Sequence, residues 1–520
     1  MTDESTIVSY IGDKSVVPGS NIYDWGHASP ASNEYVTVFN GMTGEEIDTI
    51  DYVNVTGNFA DWGKDDGGNR SARYNIAVAY IQKEEGSTET IPAVLFNRGY
   101  YAKTTVAAYT LRDGKLNLDW NFVTESGTEY ASKGNHNMST GDMDNDGFDE
   151  LVIGAMALDH DGSVLWVKDG KDGRDFSAHA DAIHLAAMLP GSDQLYVVTP
   201  SEDGGATLNF SLTNGATGAR VGGVFLVQAD IGRGMAANIT PTPGYEYWGG
   251  VPNSESAPSG AIYNVSGEIV SLEKPSDFTT NWCMYWDGDL LAELPDSDNP
   301  AMAEGAVTIY KYNWEENSMD VLETFEGTKL NNWTKNTPSL TADILGDWRE
   351  EIVARSENND ELYIYMTTDE TDYMIYTLMH DPVYRNSVAN QNTSYNQPSH
   401  IGFYLGEDNR DEVLAMQLPT ATVVYTAAET EGVVDKNPLQ VAIDKAEGLN
   451  GSDYTAESWG VLEAAKEAAK AELESENSTV ESVADALKTL EEAINGLSEA
   501  VVIELISKSF TLLYIASTCS

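Results

Sequence analysis

Asp142-Met-Asp144-Asn-Asp146-Gly147-Phe-Asp149-Glu150 runs directly into the apolar Leu151-Val-Ile153, and this junction decides the fold class. Carboxylates at alternate positions around a glycine turn can wrap one hard cation, and calcium suits such oxygen donors. The twelfth position carries Ile153 instead of glutamate, so the loop is not a complete helix-loop-helix site. A β-branched run follows, which places the loop between two strands. Asp142, Asp144, Asp146 and Asp149 are the candidate ligands. A solvated acidic turn is the plainer alternative.

Working outward, the text to about residue 428 repeats this grammar. Glu34-Tyr-Val-Thr-Val-Phe39, Ile91-Pro-Ala-Val-Leu-Phe96 and Glu361-Leu-Tyr-Ile-Tyr-Met366 are short β-branched and aromatic runs bounded by Gly, Asp and Asn. Such runs read as strands. Asp161-Gly162, Asp169-Gly170 and Asp287-Gly288 recur as turns after strands, and repeated strand-turn punctuation leans toward the blades of a β-propeller. Two-residue matches without a clean period suit a sandwich nearly as well. The fold class expected is all-β, with a small α-helical bundle behind it.

Composition sets outer bounds. The 520 residues can bury more than one core. With 83 acidic against 29 basic residues the formal charge is -54, which argues against nucleic acid and against anionic membranes, since both are bound through Lys and Arg. So many carboxylates repel one another unless cations neutralise some of them, and calcium is the expected cofactor. Cys283 and Cys519 are the only cysteines, a count that fits a reducing cytosol or a secreted protein stabilised by metal. The first residues show no basic segment followed by an apolar core.

Beyond Gly432 the composition turns to Ala, Glu, Lys and Leu. Leu439–Leu449, Glu457–Leu473 and Ser482–Leu497 carry helical spacing of apolar residues. Asn437 with Pro438, Thr455 and Thr479 stand where helix starts belong. A three-helix module over 438–498 follows from this reading. Its text around Ser452-Asp-Tyr-Thr-Ala-Glu-Ser-Trp459 resembles the extracellular modules called FIVAR repeats, whose plainest role is that of a spacer. Residues 499–520 include Glu504 and Lys508 and are too short and interrupted to span a bilayer.

A second acidic cluster, Asp343-Ile-Leu-Gly-Asp347-Trp-Arg349-Glu350-Glu351, precedes Ile352-Val353. Asp343, Asp347 and Glu350 can hold another cation, or Arg349 can neutralise the turn as a salt bridge. Those two readings stand level.

Several ordered phrases resemble polysaccharide lyase family 11: Gly134-Asn-His-Asn137, Gly141-Asp-Met-Asp-Asn-Asp-Gly-Phe-Asp-Glu150, Ile231-Gly-Arg-Gly-Met-Ala-Ala237 and Gly346-Asp-Trp-Arg-Glu-Glu351. Arg98-Gly-Tyr-Tyr101, Leu378-Met-His-Asp-Pro-Val-Tyr-Arg385 and Tyr395-Asn-Gln-Pro-Ser-His400 belong to the same pattern. The resemblance implies an eight-bladed propeller over residues 1–430, bound calcium, and cleavage of rhamnogalacturonan I, a pectic polysaccharide, outside the cell or at its surface. The family's chains carry a further domain and early strands before the point matching Tyr35, so the start of the propeller is expected to be missing here. Ala186-Ala-Met-Leu-Pro-Gly191 and Asn238-Ile-Thr-Pro241 replace acidic loops of the family, so some of its calcium sites are expected to be absent.

A lyase of this type removes the proton at C5 of galacturonate, neutralises the adjacent carboxylate and releases the oxygen at C4. A Lys, Arg or His of shifted pKa serves as base, while calcium or Arg steadies the developing charge. By resemblance, Asn331-Asn332-Trp333-Thr334-Lys335 matches the active-site segment, with Trp333 where a glycine is frequent. Lys335 is then base or charge stabiliser and Arg233 its companion; Asn331, Asn332 and Thr334 contact substrate. His179, Asp181 and His184 form a His-x-Asp-x-x-His spacing able to bind metal or sugar. His136 and His400 are candidate sugar contacts, and Arg98 and Tyr101 offer a cation and an aromatic face. The alternative reading is a non-catalytic cell-surface protein that binds pectin. Oligomeric state is not legible.

Overall fold

The computed structural model describes residues 5–6 and 34–498 apart from 64–69, 126, 169–178, 201–209, 225–232, 250–260, 272, 276–277, 300–304, 333–334, 392, 394, 396, 416–435 and 476–477. Two compact units divide at Pro419 and Thr420. Thr334, Trp333, the Asp169-Gly170 turn and the 499–520 tail lie outside the described residues.

The first unit is mostly strand. Its described strands form seven antiparallel sheets. The first holds β1 (Ser5–Thr6), β2 (Tyr35–Asn40) and β3 (Glu46–Asp51); the second holds β4 (Tyr74–Gln82), β5 (Thr90–Arg98), β6 (Thr105–Arg112) and β7 (Lys115–Val123). The third takes β8 (Gly134–Gly141), β9 (Glu150–Gly154), β10 (Met156–Leu158) and β11 (Val164–Val167), and the fourth β12 (His184–Ala186), β13 (Tyr196–Pro200), β14 (Phe210–Asn214) and β15 (Arg220–Val224). Next come β16 (Gly234–Ala237), β17 (Glu246–Gly249), β18 (Ile262–Asn264) and β19 (Ile269–Ser271), then β20 (Leu294–Ser297), β21 (Val307–Asn313) and β22 (Ser318–Phe325). The last sheet contains β23 (Thr328–Lys329), β24 (Leu340–Ala342), β25 (Glu351–Ser356) and β26 (Leu362–Tyr365).

Neighbouring sheets pack through apolar faces in chain order. Val36 and Val38 of the first meet Phe96 and Ala107 of the second, whose Ala77, Leu95 and Ala108 meet Leu151 and Met156 of the third. The run ends with Val307 and Ile309 against Ile352 and Ala354. Between these sheets passes the segment 381–409. It includes α1 (Pro382–Asn390), capped by the Asp381 carboxylate on the amides of Val383 and Tyr384, and α2 (Arg410–Leu414) follows it. Gln391 donates to Thr341 O at 2.7 Å, Asn386 to Asp149 at 2.8 Å, and Ile401 O accepts from Ala187 at 3.2 Å.

One nine-residue loop recurs between strands, and the 142–150 motif is its first example. Its ninth residue is a glutamate whose Oε2 accepts the amides of the second and third: Glu150 from Met143 (2.6 Å) and Asp144 (3.3 Å), Glu293 from Trp286 (2.6 Å) and Asp287 (3.2 Å), Glu351 from Ile344 (2.7 Å) and Leu345 (2.9 Å). The fourth residue has positive φ in each, 64° at Asn145, 92° at Gly288 and 78° at Gly346, a conformation that Gly and Asn tolerate best. Glu246 keeps a variant, accepting from Ile239 at 2.9 Å and from the Thr240 hydroxyl at 2.5 Å. In the 187–195 loop the apolar Ala187 and Leu195 take the first and ninth positions and are buried, which removes the carboxylates from both.

In the second unit α3 (Asn437–Glu447), α4 (Ala456–Glu474) and α5 (Val480–Asn495) pack through Leu439, Ile443, Leu462, Ala469 and Leu490. Thr455 and Thr479 accept the amides of Ser458 (3.3 Å) and Ser482 (3.1 Å), the start signals read from the sequence.

Candidate functional site

Asp181 brings the site together. Its Oδ2 lies 3.0 Å from Lys335 Nζ and its Oδ1 3.7 Å from His136 Nε2. Tyr395 fills the angle between them, stacked on the His136 ring at 4.1 Å and 15°, with Lys335 Nζ 3.9 Å from its own centroid. A desolvated ammonium over an aromatic face gains roughly 2 kcal/mol, and the carboxylate adds more, so the Lys335 head is held in place. His136 sits on β8, where Tyr100 Oη lies 2.7 Å from Nδ1 and Tyr101 Oη 3.3 Å from Nε2. Burial, then the positive fields of His179, Arg73, Lys335 and Arg70, depress its pKa to about 2. The ring is therefore neutral at any ordinary pH.

His179 completes an aromatic corner, its centroid 4.4 Å from that of His136 and 4.5 Å from that of Tyr101. Its Nδ1 lies 2.9 Å from the Gly134 carbonyl, which only accepts. The Nδ1 proton is thereby assigned, and Nε2 of the neutral ring carries a lone pair. Burial lowers the His179 pKa as well. Arg70 covers the Tyr101 face at 3.3 Å.

Arg233 stands beside this cluster. Its guanidinium donates to Asn281 Oδ1 at 2.8 Å, and burial pulls its pKa down to about 10 although Asp181 and Asp296 pull it up. Asn281 in turn donates to Asp296 at 3.1 Å, and Asn336 donates to the same carboxylate at 2.9 Å. Asn331 is tied to its own loop and to β25: its backbone amide donates to Thr337 O at 2.8 Å, and its Oδ1 accepts from Arg355 at 2.8 Å. Asn332, exposed with φ 63°, turns the chain toward Lys335.

Three expectations need correcting. Arg98, expected to meet sugar, is 1% exposed and ion-paired to Glu34 at 2.6 Å; it also donates to Ser71 O, Asn54 O and the Thr56 hydroxyl. All its donors face the interior because β5 turns inward there. His400 and His184 are buried too: His184 Nε2 donates to Gly234 O at 2.7 Å, and Nδ1 takes the proton of His400 Nε2 at 2.8 Å. His184 therefore ligates no metal with His179 and Asp181; the pair braces the strand that follows Arg233.

The acidic loops differ from one another. Ligand oxygens of Asp142, Asp144 and Asp146 lie within 4.8 Å of one another, as do those of Asp146 and Asp159 with His160. Glu150 Oε1 is buried without a hydrogen-bond partner, an orphan that a cation would satisfy. Asp149 turns away, accepting from Tyr80 N at 2.7 Å and from Asn386 at 2.8 Å. In the second cluster the salt-bridge reading holds: Arg349 lies 2.7 Å from Asp347. Asp343 accepts from Asp347 N (3.0 Å) and Leu378 N (2.8 Å), and Glu350 from Tyr384 (2.7 Å) and Tyr285 N (2.9 Å). Those three carboxylates already have their partners.

Tyr395, Asn281, Asp296, Arg70 and Arg73 were not singled out from sequence as site residues. No local pattern marks them, since Lys335 and Asp181 are 154 positions apart.

Residues 15–414 match the model described as rhamnogalacturonan lyase family 11, C-terminal domain, and residues 435–498 match the FIVAR domain. The chain is 41% identical over 377 residues to rhamnogalacturonan endolyase YesW of Bacillus subtilis (strain 168), covering 72% of this chain and 55% of that protein. It is 40% identical over 397 residues to rhamnogalacturonan exolyase YesX of the same organism, covering 76% and 61%. The solved rhamnogalacturonan lyase of Bacillus licheniformis superposes with a TM-score of 0.65 at 41% identity, covering 76% of this chain and 62% of that one. The chain thus spans about 55–61% of the length of these curated relatives. Ordered motifs, sheet architecture and a match over most of the first unit agree, and the chain belongs to rhamnogalacturonan lyase family 11.

Proposed function

We propose that this chain is a rhamnogalacturonan lyase that cleaves the galacturonate-rhamnose backbone of pectin by β-elimination. The observation that carries the reading is the Lys335–Asp181–His136 cluster with Tyr395, set beside Arg233. Lys335 and Arg233 are the cations available to the galacturonate carboxylate, whose neutralisation makes the C5 proton acidic. One of these two, once deprotonated, would accept the C5 proton, while His179, whose Nε2 is buried, and Tyr101 under Arg70 wall the site. His136, clamped by two tyrosines and Tyr395, fixes the geometry. The successive meander sheets, tied by the 381–409 segment, support a β-propeller.

Calcium is the proposed metal. Asp142, Asp144, Asp146 and Glu150 would hold it, and the orphaned Glu150 Oε1 supports that fit. Held there, calcium would neutralise the carboxylate charge of the loop. A site outside the cell or at its surface follows from the polymeric substrate and the FIVAR match. No described helix is long and apolar enough to cross a membrane.

The test is incubation of the calcium-loaded protein with rhamnogalacturonan I and, in parallel, with unsubstituted polygalacturonate. Ultraviolet absorbance of unsaturated uronate is expected from the first alone. A folded, calcium-loaded sample that releases none overturns the lyase reading. Binding without turnover would instead favour the second reading, a pectin-binding surface protein, which the FIVAR match motivates.

A further inference from the structure

Two of the recurring loops place carboxylates at the same three positions. Asp144, Asp146 and Glu150 stand third, fifth and ninth in one; Asp287, Asp289 and Glu293 stand third, fifth and ninth in the other. Asp142, Asp144 and Asp146 of the first loop gather ligand oxygens within 4.8 Å of one another, as do Asp287, Asp289 and Glu293 of the second, and both ninth-position glutamates use Oε2 on the equivalent pair of amides. The difference lies in what meets the remaining oxygens. Glu150 Oε1 has no hydrogen-bond partner. Glu293 Oε1 lies 2.8 Å from Lys311 Nζ, which also reaches Asp289 at 2.7 Å and Asp287.

Lys311 comes from the middle of β21, the strand beside β20, and its ammonium sits at the focus of all three carboxylates. An ammonium is a compact monovalent cation with three donors, and here each donor has one acceptor. Tyr285 occupies the first position, where the other loop has Asp142. With Asp149 turned away in the first loop, the 285–293 loop thus presents one carboxylate fewer, which matches a cation of lower charge.

We propose that the 285–293 loop is a cation site whose cation is the chain's own Lys311, and that shortening Lys311 turns it into a divalent-cation site of the calcium class. The sheet β20–β22 is then independent of metal, while the sheet β8–β11 is not. This inference does not depend on the lyase reading, and its readouts involve no catalysis.

The experiment compares the full chain with Lys311→Met and Lys311→Arg by equilibrium calcium binding and by terbium luminescence, for which Trp286 inside the loop is the sensitiser. Lys311→Met is expected to bind one more equivalent of divalent cation at about 1 mM calcium, the range of extracellular sites. It is also expected to show new terbium emission that Asp287→Asn in the same background abolishes. Lys311→Arg keeps the charge and is expected to bind no more than the parent. If Lys311→Met unfolds in chelator, recovery of its fold on adding calcium supports the proposal. Unchanged stoichiometry, an extra equivalent in Lys311→Arg, or a Lys311→Met chain that calcium does not recover overturns it.

Discussion

Arg98 gives the sharpest test of how the structure reassigns a residue. Replacing it by Met keeps the stem packed between Trp62 and Tyr74, whose centroids lie 5.0 Å from the guanidinium carbon. It removes the ion pair to Glu34 and the bonds to Ser71 O, Asn54 O and Thr56. Glu34, 6% exposed, would be left with the Thr56 amide at 3.0 Å, the Thr56 hydroxyl at 2.9 Å and the Tyr74 hydroxyl at 3.5 Å. Removing one partner of a buried pair costs about 3–5 kcal/mol, because the other charge stays buried. Removing both charges relieves that penalty, so Arg98→Met with Glu34→Gln should cost less than the sum of the single changes by about 1–3 kcal/mol. Urea midpoints for the four proteins measure this, converted with a common slope. An Arg98→Met loss below about 1 kcal/mol, or full additivity with Glu34→Gln, would refute the structural role and return Arg98 to the substrate.

Three further outcomes are expected. Lys335→Ala and Asp181→Asn should each lower the rate of uronate product formation about 100-fold or more while leaving the thermal midpoint within a few degrees. Folding holds His184 down to about 4 from 6.5, so the unfolded chain binds the extra proton between those values. Its contribution to stability is intact above about pH 6.5 and is lost as pH falls toward 4, at up to about 1.4 kcal/mol per pH unit. The difference in unfolding free energy between the parent and His184→Gln isolates this slope from the buried carboxylates, and a flat difference contradicts it. Chelation should lower the thermal midpoint of the parent, and Asp144→Asn with Asp146→Asn should abolish that response.

Local chemistry was legible and convergent chemistry was not. The 142–150 loop could be read because its donors are contiguous and its turn demands Asn145 and Gly147 at positive φ. The helix caps at Thr455 and Thr479 were readable because capping is a three-residue event. Strand character was visible in β-branched runs, but the order of sheets was not. Arg98 misled because Gly99, with φ 71°, breaks the phrase Arg-Gly-Tyr-Tyr in two. Arg98 closes β5 facing the interior, while Tyr101 lies beyond the turn at the site. His184 was grouped with His179 by spacing, yet β12 begins at His184 and carries its side chain toward Gly234. Asn331 matched a family phrase while its side chain serves its own loop. Tyr395 and Lys311 could not be assigned from sequence, because the ring Tyr395 meets lies on remote β8 and the carboxylates Lys311 meets lie in the loop before the neighbouring strand β20.

The central claim is elimination, and mass spectrometry of the products tests it most directly. Rhamnogalacturonan I treated with the calcium-loaded chain is predicted to yield oligosaccharides with a 4,5-unsaturated galacturonate at the new non-reducing end, lighter than hydrolysis products by one water. Lys335→Ala should remove them. Saturated products, or unsaturated products undiminished in Lys335→Ala, would contradict the account.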